Sequence, residues 1–343
     1  MVNETTLVPI RQAVTQGNDS RYFQAQDTKN QLRADPTRRI PVTYQSEGLT
    51  VAAHLYRPPT ARDGERTPGL VIPGPISSVK EETVPHYAER LADAGYTVLT
   101  FDPRTLGESE GSPRGHYDPN WVIEDIVNGV GYLLTRDDID PERLGLVGVC
   151  FGGGLAISAA ARDKRVKAVS SVVGGYNIGG SFQLLMGAEG FATYYRKVND
   201  LVQKQRETGE VQYIPTIAHA LTEQIPVAFM AGEEAYAYYD RYAKTNAPTW
   251  SYQTTAKSLE PYFTYSTVPH APLVAPAPMQ VIHGTKDLFC FPDFAQAVYD
   301  AAIGPKELVW IEAHNHIEFY DQDPYVSQAV AAVIQFLTPL FHS

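Results

Sequence analysis

The sequence predicts an α/β fold in which a doubly wound, mostly parallel sheet carries a largely helical insertion. Three observations predict it. Short apolar segments typical of buried strands alternate with amphipathic helical patterns along most of the chain. Residues 144–154 form a strand that turns into a helix through several glycines. Between about 174 and 276 the alternation stops, and helical stretches that hold about half of the tyrosines replace it.

The elements can be placed in chain order. A Glu-Gly turn joins two alternating segments into an edge hairpin, and strands that alternate with helices then favour parallel pairing. Strands are predicted over 40–46, 49–56, 69–72, 96–101, the first part of 144–154, 166–173, 279–283 and 307–311. Helices are predicted over about 81–94, 121–134, the run that includes 155–161, 294–302 and 324–337.

This pattern divides the chain into three parts. Residues 1–39 are polar, lack an apolar period and are expected to form an N-terminal extension on the core. Residues 40–175 and 276–343 are expected to form the α/β core, and residues 176–275 the helical insertion. An insertion at this point would lie above the carboxyl ends of the strands, where open α/β sheets bind ligands, so we interpret it as a lid.

Composition narrows the classes of partner. The chain has 343 residues, a net charge of −11 and no run of lysine and arginine, which argues against nucleic acid or an anionic membrane. Two cysteines, one of them in the 144–154 segment, leave little room for a disulfide framework and fit a reducing compartment. The sequence shows neither a secretion signal nor an apolar run of about 18 residues. We therefore expect a cytoplasmic protein with no nucleic-acid or membrane partner.

Cys150 lies in a Gly-x-Cys-x-Gly motif between Gly148 and Gly152. A nucleophile elbow needs small residues at these two positions, because the backbone passes close beneath a side chain held on a strained turn. A buried structural cysteine is the alternative. The strand, turn and helix around Cys150 favour a nucleophile.

A second match to the elbow pattern centres on Ser109, between Gly107 and Gly111. It lies several residues beyond its strand, has acidic neighbours and is followed by Ser-Pro-Arg-Gly rather than by a helix. Because an elbow requires a strand before it and a helix after it, we interpret Ser109 as part of a structural loop.

A thiol nucleophile needs a histidine that promotes the thiolate and a carboxylate that orients the histidine. The chain order nucleophile, acid, histidine is common among enzymes with such an elbow. Cys150, Asp287 and His316 obey it, each just past the carboxyl end of a predicted strand. Two alternatives stay open: His314 for the base and Asp293 for the acid.

An oxyanion that forms at this elbow would need two backbone N–H donors. The first expected donor is Phe151, which follows the nucleophile, and the second comes from the loop after the 69–72 strand. Pro75 has no N–H group. The second donor is therefore expected at Ile76 or, failing that, at Ser77.

We expect no cofactor and no metal, since the sequence contains no zinc, calcium, phosphate-loop or dinucleotide motif. His314 and His316 would make a metal pair without a visible third ligand. Cys290 is interpreted as an inert buried thiol. Substrate contacts are expected from the aromatic insertion, with Tyr194, Tyr195, Tyr238 and Tyr239 as candidates.

Four blocks of the sequence carry a family pattern: residues 79–82, residues 101–111, residues 148–153 at the elbow and residues 316–321. In this order they resemble the dienelactone-hydrolase-like branch of the α/β-hydrolase superfamily, over about 40–175 and 258–338. The resemblance implies an α/β-hydrolase fold and a triad of Cys150, Asp287 and His316. Members include hydrolases of unknown substrate and relatives that act on polyketide thioesters.

These observations favour a hydrolase that cleaves an activated acyl compound, such as a thioester, lactone or ester, through an acyl-enzyme. A thiolate is both a good nucleophile and a good leaving group, so amides are disfavoured as substrates. The alternative is an acyltransferase or cyclase acting on a polyketide-type acyl substrate in secondary metabolism. A ligand-binding protein without turnover is the third hypothesis. The expected partner is a small-molecule acyl substrate, free or carrier-bound, and a homodimer is left open.

Overall fold

The computed structural model describes residues 30–62 and 64–341. The strands are β1 (Ile40–Ser46), β2 (Leu49–Tyr56), β3 (Thr67–Ile72), β4 (Thr97–Phe101), β5 (Ile139–Val149), β6 (Ala168–Val172), β7 (Tyr213–Pro215), β8 (Ile217–Ala218), β9 (Met230–Ala231), β10 (Gln253–Thr255), β11 (Met279–Gly284) and β12 (Lys306–Ile311). The helices are α1 (Val84–Asp93), α2 (Pro119–Leu134), α3 (Phe151–Arg162), α4 (Ile178–Thr208), α5 (Glu233–Lys244), α6 (Leu259–Thr264), α7 (Pro292–Ala301), α8 (Glu318–Asp321) and α9 (Tyr325–Phe341).

Eight strands form one sheet in the order β1-β2-β4-β3-β5-β6-β11-β12. β1, β2 and β4 pair antiparallel, whereas every pair from β4 to β12 is parallel. The predicted fold class, a mostly parallel doubly wound α/β sheet, is therefore confirmed. The edge hairpin also has the predicted bounds, with Ile40 opposite Leu55 and Ser46 opposite Leu49.

Helices cover both faces of this sheet. Buried side chains of α1 and α9 share a hydrophobic cluster with Val147 and Val149 of β5, and those of α2, α3 and α7 share a second cluster with Leu146 on the opposite face. All six residues of β3 are buried. Parallel strands covered on both faces are continuously apolar, so the short apolar runs in the sequence mark the central strands.

Two elements extend beyond their predicted limits. β5 begins at Ile139 because this residue pairs with Thr67 ahead of a register shift, whereas the prediction began the strand near residue 144. α9 continues to Phe341, past Pro339, because Leu337 and Phe341 are both buried in the core. Packing therefore overrides the local signals that favoured shorter elements.

The strand order reverses direction at β3, which has β4 on one side and β5 on the other. In an open α/β sheet, the loops that leave such a pair of strands diverge and open a crevice at the carboxyl ends, where ligands bind. The loop after β3 carries Ile76, and the turn after β5 carries Cys150. The topology therefore brings the predicted nucleophile and the predicted oxyanion loop to the same crevice.

Residues 176–275 lie between β6 and β11 and contain α4, α5, α6 and two small sheets, β7 with β10 and β8 with β9. We refer to these residues as the insertion. α4 changes direction at Gly187, where φ is +71°. The insertion contacts the core through α5, because the Tyr239 hydroxyl donates to the Ile76 carbonyl (3.1 Å) and the Tyr238 hydroxyl lies 2.9 Å from Thr83 Oγ1.

The described end of the N-terminal extension runs along the core. The Leu32 N–H donates to the carbonyl of Asp321 (2.7 Å), and Arg38 forms an ion pair with Asp93 of α1. Residues 1–29, which make up most of the predicted extension, lie outside the described residues. No helix in the described part of the chain combines the length and apolar character that crossing a membrane requires.

Candidate active site

Cys150 occupies a strained turn between β5 and α3, with φ +56° and ψ −131°. A Cβ atom at Gly148 would lie 2.1 Å from the Gly152 carbonyl oxygen, and one at Gly152 would lie 2.3 Å from the Pro73 carbonyl oxygen. Neither position can hold a larger residue without moving the backbone. A non-glycine residue at positive φ costs about 1–3 kcal/mol, and such strain is concentrated at functional sites.

The structure brings Cys150, Asp287 and His316 together at the carboxyl ends of the strands. His316 Nδ1 lies 2.6 Å from Asp287 Oδ2, and the Cys150 sulfur lies within 4.8 Å of the histidine ligand nitrogen. All three side chains are buried, with exposed fractions of 5% for Cys150, 4% for Asp287 and 1% for His316. The structure therefore brings together the three residues predicted as nucleophile, base and orienting acid, and their catalytic roles stay a prediction.

The two alternatives that the sequence left open lie elsewhere. The His314 side chain is 70% exposed and its Nδ1 lies 3.2 Å from Glu318 Oε1. Asp293 is exposed at the start of α7. The structure therefore places neither of them against Cys150.

Asp287 is fixed by the loop that follows it. Its Oδ1 accepts the N–H groups of Phe289 (2.9 Å) and Cys290 (2.8 Å), so Oδ2 alone faces His316. The Cys290 carbonyl in turn accepts the Nε2–H of His283 at 2.7 Å. A carboxylate held in this way keeps the proton of His316 on Nδ1 and turns Nε2 towards the nucleophile.

Cys150 and His316 favour an ion pair. Burial opposes the thiolate, but hydrogen bonding from the Cys290 thiol and the positive charge of His316 outweigh it and lower the pKa of Cys150 well below the ordinary thiol range. Burial also opposes the imidazolium, but the negative charges of Asp287 and Cys150 outweigh it and raise the pKa of His316 to about 10. Both shifts favour the thiolate of Cys150 and the imidazolium of His316 over the neutral pair, as a nucleophilic cysteine requires.

Two residues close to the sulfur were not predicted as site residues. The Cys290 thiol is buried, as expected, but it hydrogen-bonds Cys150, and this bond together with burial raises the pKa of Cys290 well above the ordinary thiol range. The Tyr320 hydroxyl lies 3.2 Å from His316 Nε2. The one sequence signal for Tyr320 is its position four residues after His316, which is informative only if α8 is known to be helical.

The expected oxyanion donors line the same crevice. Phe151 is the first residue of α3, so its N–H lies at a helix N-terminus. Among the described residues, neither the Phe151 N–H nor the Ile76 N–H has a hydrogen-bond partner. Ser77 follows with φ +58°, and its N–H also has no partner in the described chain, so it stays the alternative donor. The absence of partners for both N–H groups in the described chain is compatible with the predicted oxyanion site, which stays a prediction.

The four candidate tyrosines divide into two pairs. Tyr238 and Tyr239 are fully buried and hydrogen-bond the core loop after β3. Tyr194 and Tyr195 instead pack on Phe263 within the insertion, and Tyr194 lines a surface pocket of about 520 Å³ whose lining includes none of the triad residues. The first pair therefore lies at the loop that carries Ile76 and the second lies within the insertion, and substrate contact by any of the four stays a prediction.

Most of the chain matches the model of a known protein family. The model of the X-Pro dipeptidyl-peptidase (S15) family matches residues 47–318, which include the elbow, Asp287 and His316. The chain belongs to this family. Its family, its mostly parallel eight-stranded sheet and its similarity to a solved α/β-hydrolase structure, described below, place it in the α/β-hydrolase superfamily. Its place in the dienelactone-hydrolase-like branch stays a prediction.

The names of similar proteins indicate which class of reaction this S15-family chain catalyses. Thiohydrolase aneE of Aspergillus aculeatus is 32% identical over 275 residues, which cover 79% of this chain and 83% of the relative. Acyltransferase drtE of Aspergillus calidoustus is 26% identical over 289 residues, which cover 84% and 90%. The crystal structure of the α/β hydrolase GrgF from Penicillium sp. sh18 shares the fold, with a TM-score of 0.75 at 20% identity over 89% and 99% of the two chains. The protein is a hydrolase or a related acyl-transfer enzyme.

The ion pair of this S15-family member predicts an unusual pH profile. The rate at which iodoacetamide alkylates Cys150 in metal-free buffer should change by less than about threefold between pH 8 and pH 6. The reason is that the pKa of Cys150 lies well below the ordinary thiol range, so the thiolate persists at pH 6. A free thiol with a pKa near 8.5 would slow by roughly 75-fold over the same interval. Peptide mapping distinguishes Cys150 from Cys290, whose raised pKa keeps it unreactive. A fall of the larger size at Cys150 would contradict the ion pair.

Proposed function

We propose that this enzyme hydrolyses an acyl thioester or a similarly activated acyl compound through an acyl-enzyme on Cys150. The observation that carries the proposal is the juxtaposition of the Cys150 sulfur, the His316 imidazole and the Asp287 carboxylate beneath the insertion. The name of the relative aneE, a thiohydrolase, supports the choice of a thioester.

In the acylation step, the Cys150 thiolate attacks the carbonyl carbon of the substrate and a new carbon–sulfur bond forms. The carbonyl oxygen becomes an oxyanion, which the N–H groups of Phe151 and Ile76 stabilise; one such donor typically contributes about 3 kcal/mol. The intermediate then expels the substrate thiolate as its carbon–sulfur bond breaks. His316 delivers its Nε2 proton to that leaving group, and Asp287 keeps the imidazole oriented.

In the deacylation step, His316 Nε2 accepts a proton from a water molecule as the water oxygen attacks the acyl carbon. A second oxyanion forms in the same pair of N–H groups and collapses with loss of the Cys150 thiolate. The carboxylic acid leaves, and the imidazolium again faces the thiolate. One histidine therefore acts as acid in the first step and as base in the second.

The insertion supplies the acyl-binding surface in this proposal. Tyr239 lies at the Ile76 loop, and Tyr262 packs edge-on against Phe151 with 5.2 Å between ring centroids. Because the Cys150 side chain is 95% covered, a substrate must displace part of this aromatic layer to reach the sulfur. We therefore propose that the insertion acts as a lid and favours an apolar or aromatic acyl chain, free or carrier-bound.

The same acyl-enzyme also supports a second function. If an alcohol, an amine or a carbon nucleophile captures the acyl group before water does, the enzyme is an acyltransferase or a cyclase. The relative drtE, named an acyltransferase, and the burial of the site favour this candidate. Product analysis with and without an added acceptor distinguishes the two fates.

The test is intact-protein mass spectrometry after brief mixing with a panel of short-chain, aromatic and polyketide-like acyl thioesters. We expect an added mass equal to one acyl group, located by peptide mapping on the peptide that contains Cys150, followed by its decay to free acid. Transfer of the label to an added acceptor would favour the second function. Turnover without any acyl adduct on Cys150, when the reaction is quenched in acid during the first turnover, would contradict both.

A further inference from the structure

Cys150, Cys290 and His316 form a group whose chemistry goes beyond acyl transfer. Two thiol sulfurs and one imidazole nitrogen lie within 4.8 Å of one another, and all three side chains are buried. We propose that these residues form a binding site for a thiophilic divalent metal, with Zn²⁺ as its natural occupant, and that the bound metal reversibly blocks the active site.

The donor set selects the metal. Thiolate and imidazole ligands favour Zn²⁺ over Mg²⁺ and Ca²⁺, which require oxygen ligands. Two thiolates and one neutral imidazole also balance the charge of a divalent ion. The ion and its three ligands are therefore neutral together, and Asp287 beside His316 is the one further charge at a position where every ligand is at least nine-tenths buried.

The distances suit a tetrahedral ion after small movements. With Zn–S bonds near 2.3 Å and Zn–N bonds near 2.0 Å, ligand atoms in such a site are separated by about 3.5–3.8 Å. The three donors already lie within 4.8 Å of one another. Inward shifts on the order of 1 Å would complete the geometry; Cys290 and His316 lie in loops, and Cys150 directly precedes α3.

The surroundings match those of known histidine–zinc sites. Asp287 accepts the Nδ1–H of His316 at 2.6 Å, which leaves Nε2 as the ligand atom and increases its basicity. Cys290 is held by its N–H bond to Asp287 Oδ1 and by its carbonyl bond to His283. One carboxylate therefore orients two of the three ligands.

Metal binding and turnover both require the lone pairs of the Cys150 sulfur and of His316 Nε2. The metal bonds to the Cys150 sulfur and to His316 Nε2, and it displaces two protons, one from the imidazolium and one from the Cys290 thiol. A metal-loaded enzyme has neither a free nucleophile nor a base. Three protein ligands leave the fourth position of a tetrahedral ion open, so the ion is expected to be removable by a chelator.

The test uses Co²⁺ and Zn²⁺ on the purified full-length chain. We expect one Co²⁺ per chain, a visible spectrum of tetrahedral type and a thiolate-to-cobalt charge-transfer band. Cys290→Ser and Cys150→Ser should each show half of the band intensity of the wild type. Zn²⁺ should displace Co²⁺ stoichiometrically, abolish the spectrum and inhibit thioester turnover, with recovery after chelation, whereas Mg²⁺ should do none of these.

Variants provide the discriminating controls. Loss of one direct ligand in Cys290→Ser should weaken Zn²⁺ binding, measured by competition with a chromophoric chelator, by more than about 100-fold, since loss of a supporting residue alone costs 10–100-fold. His316→Ala should do the same, whereas His314→Ala, in the same loop but exposed, should bind Zn²⁺ like the wild type.

Equal Zn²⁺ affinity in the wild type and Cys290→Ser would overturn the proposal, as would octahedral Co²⁺ without a thiolate band. The cobalt spectrum of the wild type needs no variant to fold and no substrate to be known. The experiments can therefore contradict the metal-site proposal while they support the acyl-enzyme proposal, or the reverse.

Discussion

Replacement of Cys150 by alanine should lower kcat on an acyl thioester by about four to six orders of magnitude, as expected when a covalent nucleophile is removed. Alanine retains the Cβ atom, so the strained turn between Gly148 and Gly152 keeps its shape and loses only the sulfur. We therefore expect the variant to fold, with a loss of about 1 kcal/mol for the small cavity. Steady-state kinetics and a thermal unfolding curve measure the two effects separately.

Ser109→Ala is the matched control, because Ser109 occupies the other elbow-like motif. Its hydroxyl donates to the Asp102 carbonyl (2.6 Å) and accepts the Ala52 N–H (2.8 Å), so it joins two backbone segments and is 1% exposed. The variant should lose about 1–3 kcal/mol of unfolding free energy, as expected when buried partners are left unpaired, and should keep kcat within about tenfold. The opposite pattern, with inactive Ser109→Ala and active Cys150→Ala, would show that the motif around Ser109, and not the one around Cys150, carries the chemistry.

The sequence alone could predict the hairpin, the elbow and the grouping of three site residues, because each depends on short motifs or on the strand topology. The hairpin of β1 and β2 follows from two strand-like segments joined by a Glu47-Gly48 turn, where both residues take positive φ, so the sequence predicts its limits. The elbow follows from a steric requirement that only glycine meets at two fixed positions. The grouping of Asp287 and His316 with Cys150 follows from parallel topology, which brings the carboxyl ends of different strands to the same edge of the sheet.

The position of Cys290 could not be predicted because it depends on how one loop folds back on a carboxylate. Asp287 Oδ1 collects two N–H groups from the loop, and this brings the Cys290 sulfur to Cys150. Nothing in the sequence spacing separates that arrangement from one in which the thiol points into the core. The two tyrosine pairs of the insertion pose the same difficulty, since both lie in helical stretches and only the packing of α4 and α5 decides which pair reaches the Ile76 loop.

Asp287→Asn tests the orientation of the base rather than the presence of the nucleophile. Asp287 Oδ1 accepts two N–H groups, so the oxygen of an asparagine must take that position and its NH2 group must face His316 Nδ1. Nδ1 can then only accept, and the single proton of the neutral imidazole moves to Nε2. A histidine in this tautomer cannot take a proton from Cys150 or from water, although every heavy atom stays in place.

We expect Asp287→Asn to lower kcat by about 10⁴-fold, with little change in the thermal unfolding curve. Alkylation of Cys150 at pH 6 should also slow strongly, because the imidazolium that stabilises the thiolate has lost its carboxylate partner. Asp293→Asn is the matched control, since Asp293 follows in the same segment but is exposed at the start of α7, and its activity should stay within about twofold of the wild type. Near-normal activity in Asp287→Asn would contradict this role of Asp287, since the Tyr320 hydroxyl lies at Nε2 and cannot hold the proton on Nδ1.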